Sequence, residues 1–267
     1  GGGAEGKARM STAFWKIRRW SGGRFEELSD EVVREEPLTL YVNGREVVTL
    51  LTLGGHPEEL AVGFLRAEGF LSRRGDLLGL RAEEGAVRVE AAVDAALVER
   101  LLEKRTVTTG CGKGTTFYHP LDALRLRPLV PGGPLFSPDG ILGRMRELEG
   151  RSEVFRRTGG VHNASLAEEG RTLLFRTDIG RHNAVDMLGG RAFLDGMPLG
   201  RAALLTTGRV SSEILLKAAK MGVPVLVSRS APTELALRLA DELGLTVAGY
   251  ARAGRMNVYT HFDRIGG

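Results

Sequence analysis

The chain has a single cysteine, Cys111, in the stretch TVTTGCGKGTT, directly after a β-branched run and among Gly110, Gly112 and Gly114. Glycines on both sides of a thiol let the backbone take positive φ and leave the sulfur uncovered by neighbouring side chains. The reactive form is the thiolate, and a free thiol with a pKa of about 8.5 is only a few per cent ionised near neutrality. Lys113, two residues on, and the successive N–H groups of a glycine-rich loop both favour the anion. Such a place suits a persulfide. Lone cysteines are more often buried small hydrophobes, but flanks of glycine and lysine do not make a packed core position. The run GCGKGTT lacks the G-x-x-x-x-G-K-[ST] spacing, so a P-loop ATPase is rejected.

The triplet HNA occurs twice, at His162 in TGGVHNASL and at His182 in DIGRHNAVDML. A zinc nucleobase deaminase needs H-x-E with P-C-x-x-C, whereas Ala164 stands where the glutamate would be and no second cysteine exists. No local spacing supplies further ligands, so no metal is expected and the histidines read as structural or substrate-orienting. Asp178 is expected to cap a helix starting near Arg181, or else to fix an imidazole tautomer. His56 and His119 have no companion pattern, and Trp15 and Trp20 form no ladder suited to base stacking.

These groups need elements to hold them. Between Ala202 and Arg252 the sequence alternates AALLTT, SSEILLKAAKMG, VPVLVS, PTELALRLADELG and LTVAGYA, with Gly222 and Gly244 each stopping a helix. This β-α-β-α-β pattern implies neighbouring parallel strands with right-handed crossovers. Ligands of such sheets bind beyond the carboxyl ends of the strands, where helix N-termini offer free N–H groups. The ends are Thr206, Thr207, Gly208 and Arg209; then Ser228, Arg229 and Ser230; then Tyr250, Ala251 and Arg252. An arginine recurs at each, beside small or hydroxyl residues, which is a plausible pyrophosphate or nucleotide site. Taken singly, each is better read as a solvated surface group.

Upstream, REEPLTLYVNGREVV alternates around Asn43-Gly44 and predicts a hairpin. A helix is expected from about Pro57 to Phe70, then mixed short strands over 76–109 with a short helix near Ala91 to Glu103. Five prolines and the sequence PGGP between Pro120 and Gly140 mark a loop, followed by a helix from Gly140 to Glu149. The expected division is an N-terminal extension over 1–33, partly flexible, with its first nine residues unstructured. A β-rich part over 34–119 ends in the cysteine loop, a Pro/Gly-rich loop spans 120–140, and an α/β domain spans 141–267.

Composition narrows the classes. With 42% hydrophobic and 26% charged residues the chain is an ordinary globular one. Its 37 Lys and Arg against 33 Asp and Glu leave a net +4, too small an excess to imply a nucleic-acid partner. One cysteine excludes an internal disulfide and fits a reducing compartment. No apolar run approaches the roughly 20 residues of a membrane span, and no secretory signal is read.

The succession EEPLTLYVNG, LGGHPEELAVGFLRAEGF, TTGCGKG, FRRTGGVHNASL, DIGRHNAVDML, TTGRVSSEILLKAAKMGVPVLVSRSAPTELALRLADELGLTVAGYAR and RMNVYTH resembles the FdhD family of formate dehydrogenase accessory proteins. The likeness runs in one order from about Glu35 to His261. It implies a sulfurtransferase that receives sulfur from a cysteine desulfurase as a persulfide and passes it to the molybdenum bis(molybdopterin guanine dinucleotide) cofactor of formate dehydrogenase. Cys111 would be the carrier. It also implies a cytoplasmic homodimer with an α/β, cytidine-deaminase-like three-layer core lacking the zinc, TGGVHNA taking the place of the deaminase H-x-E helix. The family's cofactor-binding segment falls on Tyr250, Ala251, Arg252, Ala253, Gly254 and Arg255, meeting the third strand end, with Thr207, Gly208, Arg209, Ser228 and Arg229 as the remaining candidates.

One departure matters. Many members carry C-G-x-C-G; aligning TTGCG with the usual lead-in puts Gly114 at the second cysteine, whereas aligning on the closing C-G-K makes Cys111 the second. The first alignment also matches the preceding residues. With one thiol there is no resolving partner, so sulfur must leave directly for its acceptor. The rival readings are a cofactor chaperone without sulfur chemistry and a nucleotide hydrolase or deaminase on the same fold.

Overall fold

The computed structural model describes residues 11–93, 99, 106–107, 115–116, 126, 128–129 and 132–266. Strands β1 (Thr12–Ser21) and β2 (Arg24–Val33) turn at Gly22-Gly23 and form a two-stranded ribbon within the expected extension. Phe14, Trp15, Trp20 and Phe25 are exposed on it. Asn43 and Gly44 have φ of 49° and 79°, the left-handed pair that a two-residue hairpin turn requires. They join β3 (Glu36–Val42) to β4 (Arg45–Thr52), and with β5 (Leu77–Glu83) and β6 (Ala86–Ala91) these make a sheet in the order β4-β3-β6-β5.

Its apolar face, including Leu38, Leu40, Val42, Val87 and Val89, is covered by helix α1 (Pro57–Ala67). The helix ends at Ala67, three residues before Phe70, where Gly69 takes φ 88°. Ala91 closes β6 and so is strand, against the expected helix there. Its side chain packs in the apolar cluster under the sheet. Residues 94–98 and 100–105 of that expected helix lie outside the described residues. Two short strands, β7 (Thr106–Val107) and β8 (Thr115–Thr116), pair antiparallel.

Helices α2 (Pro138–Arg151) and α3 (Glu153–Thr158) follow, capped by the Ser137 and Ser152 hydroxyls. Next come β9 (His162–Glu168), β10 (Arg171–Asp178), α4 (Arg181–Asp195), β11 (Ala203–Thr206), α5 (Ser212–Met221), β12 (Val225–Ser228), α6 (Glu234–Leu243), β13 (Thr246–Arg252) and β14 (Arg255–Thr260). The six strands form one mixed sheet in the order β10-β9-β11-β12-β13-β14, parallel across β11-β12-β13. The β-α-β-α-β segment has the extent the sequence predicts, and Gly222 and Gly244 end its helices with φ of 77° and 74°.

Both faces of this sheet are buried, and alternate residues divide between them. Leu204, Leu226 and Val247 meet α4, α5 and α6. Ala203, Leu205, Val225, Val227 and Ala248 meet Ile141, Leu142, Met145 and Leu148 of α2. The architecture is a mixed α/β fold with several sheets. No helix among the described residues is long and apolar enough to cross a membrane.

Helix α4 belongs to two cores. Ala184, Val185, Leu188 and Ala192 face the mixed sheet, whereas Met187 and Phe193 pack into the cluster under the N-terminal sheet. It can do both because α1 and α4 touch through backbone. A Cβ on Gly63 would lie 1.7 Å from the Asp186 carbonyl oxygen, and one on Gly190 would lie 1.8 Å from that of Glu59. Polar bonds seal the seam. Glu59 holds Arg176 through both oxygens at 2.6 and 2.8 Å, and Asn183 Nδ2 donates to the Leu51 carbonyl at 2.8 Å. On the far side of α4, Asp186 and Lys217 of α5 form a buried ion pair at 2.5 and 2.6 Å. Burial pushes the Asp186 carboxyl up, while the Lys217 ammonium pulls it down.

A methyl group at Gly63 has nowhere to go without parting the helices. Gly63→Ala is therefore expected to destabilise the fold by about 3 kcal/mol, the upper part of the range for overpacking. Urea unfolding should show a lower midpoint at unchanged slope; an unchanged midpoint would mean that the contact is not made.

Candidate functional site at the carboxyl edge of the mixed sheet

Three parallel strands end on one edge of the sheet, and antiparallel pairing brings the start of β9 and the end of β10 to the same edge. The N-termini of α4, α5 and α6 follow those strand ends directly. Every strand-end residue singled out in the sequence is thus on one side of the molecule.

Their roles there differ. Ser228 is fully buried; its hydroxyl donates to the Gly208 carbonyl at 2.6 Å and accepts the Ser230 N–H at 2.9 Å. Gly208 and Ala251 are buried as well. The Thr207 hydroxyl accepts the Asn163 N–H at 3.1 Å, so it ties β9 to the loop after β11. Ser228, Gly208 and Ala251 shape the edge from beneath, and Thr207 is half-buried among them. The exposed residues are Arg209, Arg252, Ala253, Gly254 and Arg255, with Tyr250 at 36%. Arg229 is half-buried and pairs with Glu149 of α2 at 2.7 Å. Arg209, Arg252 and Arg255 have no ion pair among the described residues.

β13 pairs with β12 as far as Ala248, the Tyr250 N–H then donates to the Ser230 carbonyl at 3.1 Å, and the exposed tip from Arg252 to Arg255 is held by pairing with β14. Ala253 and Gly254 form its turn with φ of 51° and 75°. Arg252 and Arg255 face each other across the strands, an unfavourable like-charge pair unless an anion lies between them. The ladder carries an extra residue between Gly249 and Arg252, and Tyr250 there has φ 52°. A left-handed conformation costs a residue with a side chain about 1–2 kcal/mol, and here it turns an aromatic ring out at the base of the basic hairpin.

A second group of side chains meets at this edge. His162 begins β9, and burial, the Arg181 guanidinium and the His182 ring together hold its pKa below the usual imidazole value. His182 Nε2 lies 2.9 Å from Glu213 of α5. Arg181 has a buried Nε with no hydrogen-bond partner. Its stem lies on Gly208, where a Cβ would come within 3.0 Å of it. Sequence reading passed over Arg181 and Glu213; the signal available for Arg181 was a glycine-arginine pair at a strand-to-helix corner, and Glu213 carried none.

Two expectations are corrected here. His162, Asn163 and Ala164 lie in β9, paired with strands on both sides, and not at the head of a helix. The helical copy of the triplet is the second, at His182 in α4. Asp178 does not cap α4, whose N-cap is Gly180 without a side-chain bond. Its fully buried carboxylate instead accepts the N–H of Leu53 at 2.8 Å, that of Gly180 at 2.9 Å and Asn183 Nδ2 at 2.8 Å. Burial raises its pKa, and these donors oppose the rise.

Cys111, Lys113 and the glycines between them lie outside the described residues. The flanking strands are described: Val107 of β7 pairs with Thr115 of β8, so Cys111 falls midway along the connection between two paired strands. Among the described residues no group of three or more His, Cys, Asp or Glu side chains is arranged to hold a metal ion.

The family model described as FdhD/NarQ matches residues 33–266. A sulfur carrier protein FdhD from Geobacillus kaustophilus is 43% identical over 93% of this chain and 95% of its own. One from Bacillus subtilis is 41% identical over 95% and 97%. Among solved structures, one from Desulfotalea psychrophila, described as a formate dehydrogenase accessory protein, superposes with a TM-score of 0.77 at 27% identity, covering 93% of this chain and 96% of that one. This chain belongs to the FdhD/NarQ family.

The His162 environment makes a signed prediction. The unfolded chain takes up the imidazole proton as pH falls through about 6.5, but the folded chain does so only at lower pH. This group's contribution to stability is therefore complete above about pH 6.5 and is lost on acidification. His162→Gln should flatten the rise of unfolding free energy between about pH 5 and 7.5 relative to the parent. Equal slopes would show a normally titrating ring.

Proposed function

We propose that this protein is a sulfurtransferase that loads persulfide sulfur from a cysteine desulfurase onto Cys111 and delivers it to the molybdenum bis(molybdopterin guanine dinucleotide) cofactor for formate dehydrogenase. What carries the reading is family membership over residues 33–266, with relatives named as sulfur carriers, in a chain whose lone thiol sits between two paired strands. In loading, the Cys111 thiolate attacks the terminal sulfur of the desulfurase persulfide, and the desulfurase thiolate leaves. In delivery, an electron pair of the acceptor attacks that terminal sulfur, the S–S bond breaks and Cys111 leaves as thiolate, so the acceptor gains the sulfur and is oxidised by two electrons. No resolving thiol exists to divert the persulfide into an internal disulfide.

The cofactor is the substrate and the basic edge is its grip. Arg209, Arg252 and Arg255 supply guanidinium groups for the phosphates. Tyr250 supplies a ring against which a guanine can stack. Thr207, Gly208, Ser228 and Ala251 hold the floor beneath. Arg229 joins only by giving up Glu149. Binding energy from nucleotide ends remote from the metal would then position the reacting sulfur, which is catalysis by proximity. The same reading takes the mixed sheet as a cytidine-deaminase-like core without zinc, and the working form as a cytoplasmic homodimer. A non-catalytic cofactor chaperone is the second reading, favoured by the absence of a second cysteine.

Incubation with a cysteine desulfurase and cysteine should add the mass of one sulfur to Cys111, and intact mass with no such adduct would refute the carrier role. Cys111→Ala should abolish activation of formate dehydrogenase; retained activation would select the chaperone. For the grip, Arg252→Ala should weaken GDP binding by about 1.5–3 kcal/mol, as for a lost charge-assisted contact. Arg229→Ala should cost less, because its bond to Glu149 must first break. Calorimetry showing unchanged affinity in both would place the nucleotide elsewhere.

A further inference from the structure

Strands β1 and β2 run ten residues each without a bulge, and neither pairs with a third strand among the described residues. The ribbon is anchored at its base. Arg157 of α3 reaches Glu31 at 3.1 Å, the Arg34 N–H donates to the Ser11 carbonyl at 2.8 Å, and Val33 fills the space that a side chain at Gly160 would need. Farther out, Phe14, Trp15, Trp20 and Phe25 are each more than half exposed. A lone two-stranded ribbon is marginal in water and gains independent stability from a third strand or a packed face. This chain supplies neither to the outer ribbon among its described residues.

Charge distinguishes the two edges. On β2, Glu26 pairs with Arg24 at 2.6 Å, Asp30 with Arg19 at 3.7 Å and Glu31 with Arg157. On β1, Lys16 and Arg18 make no ion pair among the described residues. Glu27 lies opposite Arg18 in the register without pairing to it, and the Arg18 guanidinium rests over the Phe25 ring at 4.7 Å. Strand residues alternate between faces, so Phe14, Lys16, Arg18 and Trp20 share one face and read aromatic, basic, basic, aromatic along β1. From Ala13 to Ser21 the described backbone bonds go to β2 alone, which leaves the outward N–H and C=O groups of β1 open. A strand added there would pair them and set its own side chains level with these four.

Other occupants fit less well. A second copy joining this edge about a two-fold axis brings β1 against β1, with Lys16 and Arg18 facing their own kind. An anionic membrane meets a ribbon of four basic and four acidic side chains, which carries no net attraction to it. Charge that merely guards a sheet edge against aggregation needs no exposed aromatic beside it.

We infer that β1 is a docking edge for an extended acidic segment of a partner protein, which adds as a third strand with acidic side chains beside Lys16 and Arg18 and apolar ones beside Phe14 and Trp20. The pattern reads the same from both ends, so either strand direction satisfies it. Because Val33 leans on Gly160, two residues before His162, a partner held here stands close to the strand-end edge. The inference does not depend on the sulfur-transfer reading.

Both tryptophans of the chain, Trp15 and Trp20, lie on the ribbon, so intrinsic fluorescence of the full-length protein reports this element alone. The probe is a capped heptapeptide in which isoleucine, glutamate, glutamate and isoleucine alternate with threonine; controls replace glutamate by lysine, or N-methylate the backbone positions that would pair with β1. The glutamate peptide should shift tryptophan emission to the blue in a saturable manner, and both controls should fail. Lys16→Glu with Arg18→Glu should weaken the glutamate peptide about tenfold, the scale of two exposed ion pairs, and admit the lysine peptide. No shift with the glutamate peptide, or an equal shift with the lysine or N-methylated one, overturns the inference. So does a shift produced by phosphatidylglycerol vesicles and not by peptide, which assigns the ribbon to a membrane surface. Emission that is already blue and moves to the red on dilution, without peptide, would give the ribbon to a second copy and equally overturn it.

Discussion

Backbone-to-backbone contact between α1 and α4 is the constraint on which the rest depends. Helices packed through ordinary side chains keep their axes about 8–10 Å apart, and a side chain at Gly63 or Gly190 would have to occupy space already taken by a carbonyl. Two glycines inside helices cost roughly 1 kcal/mol each relative to alanine. They are compensated because α4 can then bury Met187 and Phe193 against one sheet while Leu188 and Val185 face the other. The N-terminal sheet, α1, α4 and the mixed sheet become one packed stack.

That stack sets the site. With its flank fixed by Gly190 and its middle by the Asp186–Lys217 pair, α4 has a defined axial position, and so do Arg181 and His182 at its head. Breaking a buried pair from one side typically costs about 3–5 kcal/mol, whereas an apolar replacement of both partners is often neutral. The pair therefore serves register better than it serves stability. Asp178 completes the attachment by binding Leu53 of the N-terminal part and Asn183 of the first helical turn together. Displacement of the N-terminal sheet would thus be felt at the edge where the strands end.

The parts legible in the sequence are those set by local rules. The Asn43-Gly44 hairpin, the α1 helix opened by Pro57, and the β-α-β-α-β run ended by Gly222 and Gly244 each follow from turn chemistry or hydrophobic period. Strand-end positions follow too, since parallel strands leave little choice of edge. What was not legible depended on tertiary pairing. The first HNA triplet is a strand because β10 and β11 flank it, a fact absent from the triplet itself. Asp178 looked like a cap because it precedes a helix, yet its main partners include Leu53, 125 positions away. Ser228 looked like a ligand contact because it ends a strand, yet its hydroxyl is used up inside. Glycines 63 and 190 gave no sign that they face each other.

The helix heads show how the edge divides labour. Helices α2, α3, α5 and α6 each have a serine or threonine whose side chain accepts a first-turn N–H, at Ser137, Ser152, Ser211 and Thr233. Those ends are chemically closed, at a gain of about 1 kcal/mol apiece. Helix α4 begins on Gly180, and the nearby carboxylate that would have closed it is turned back to Leu53 and Asn183. Its first-turn N–H groups are left without an N-cap side chain. Helix α1, entered from His56, likewise has no side-chain cap, so the two helices that meet backbone to backbone are also the two whose heads no side chain closes.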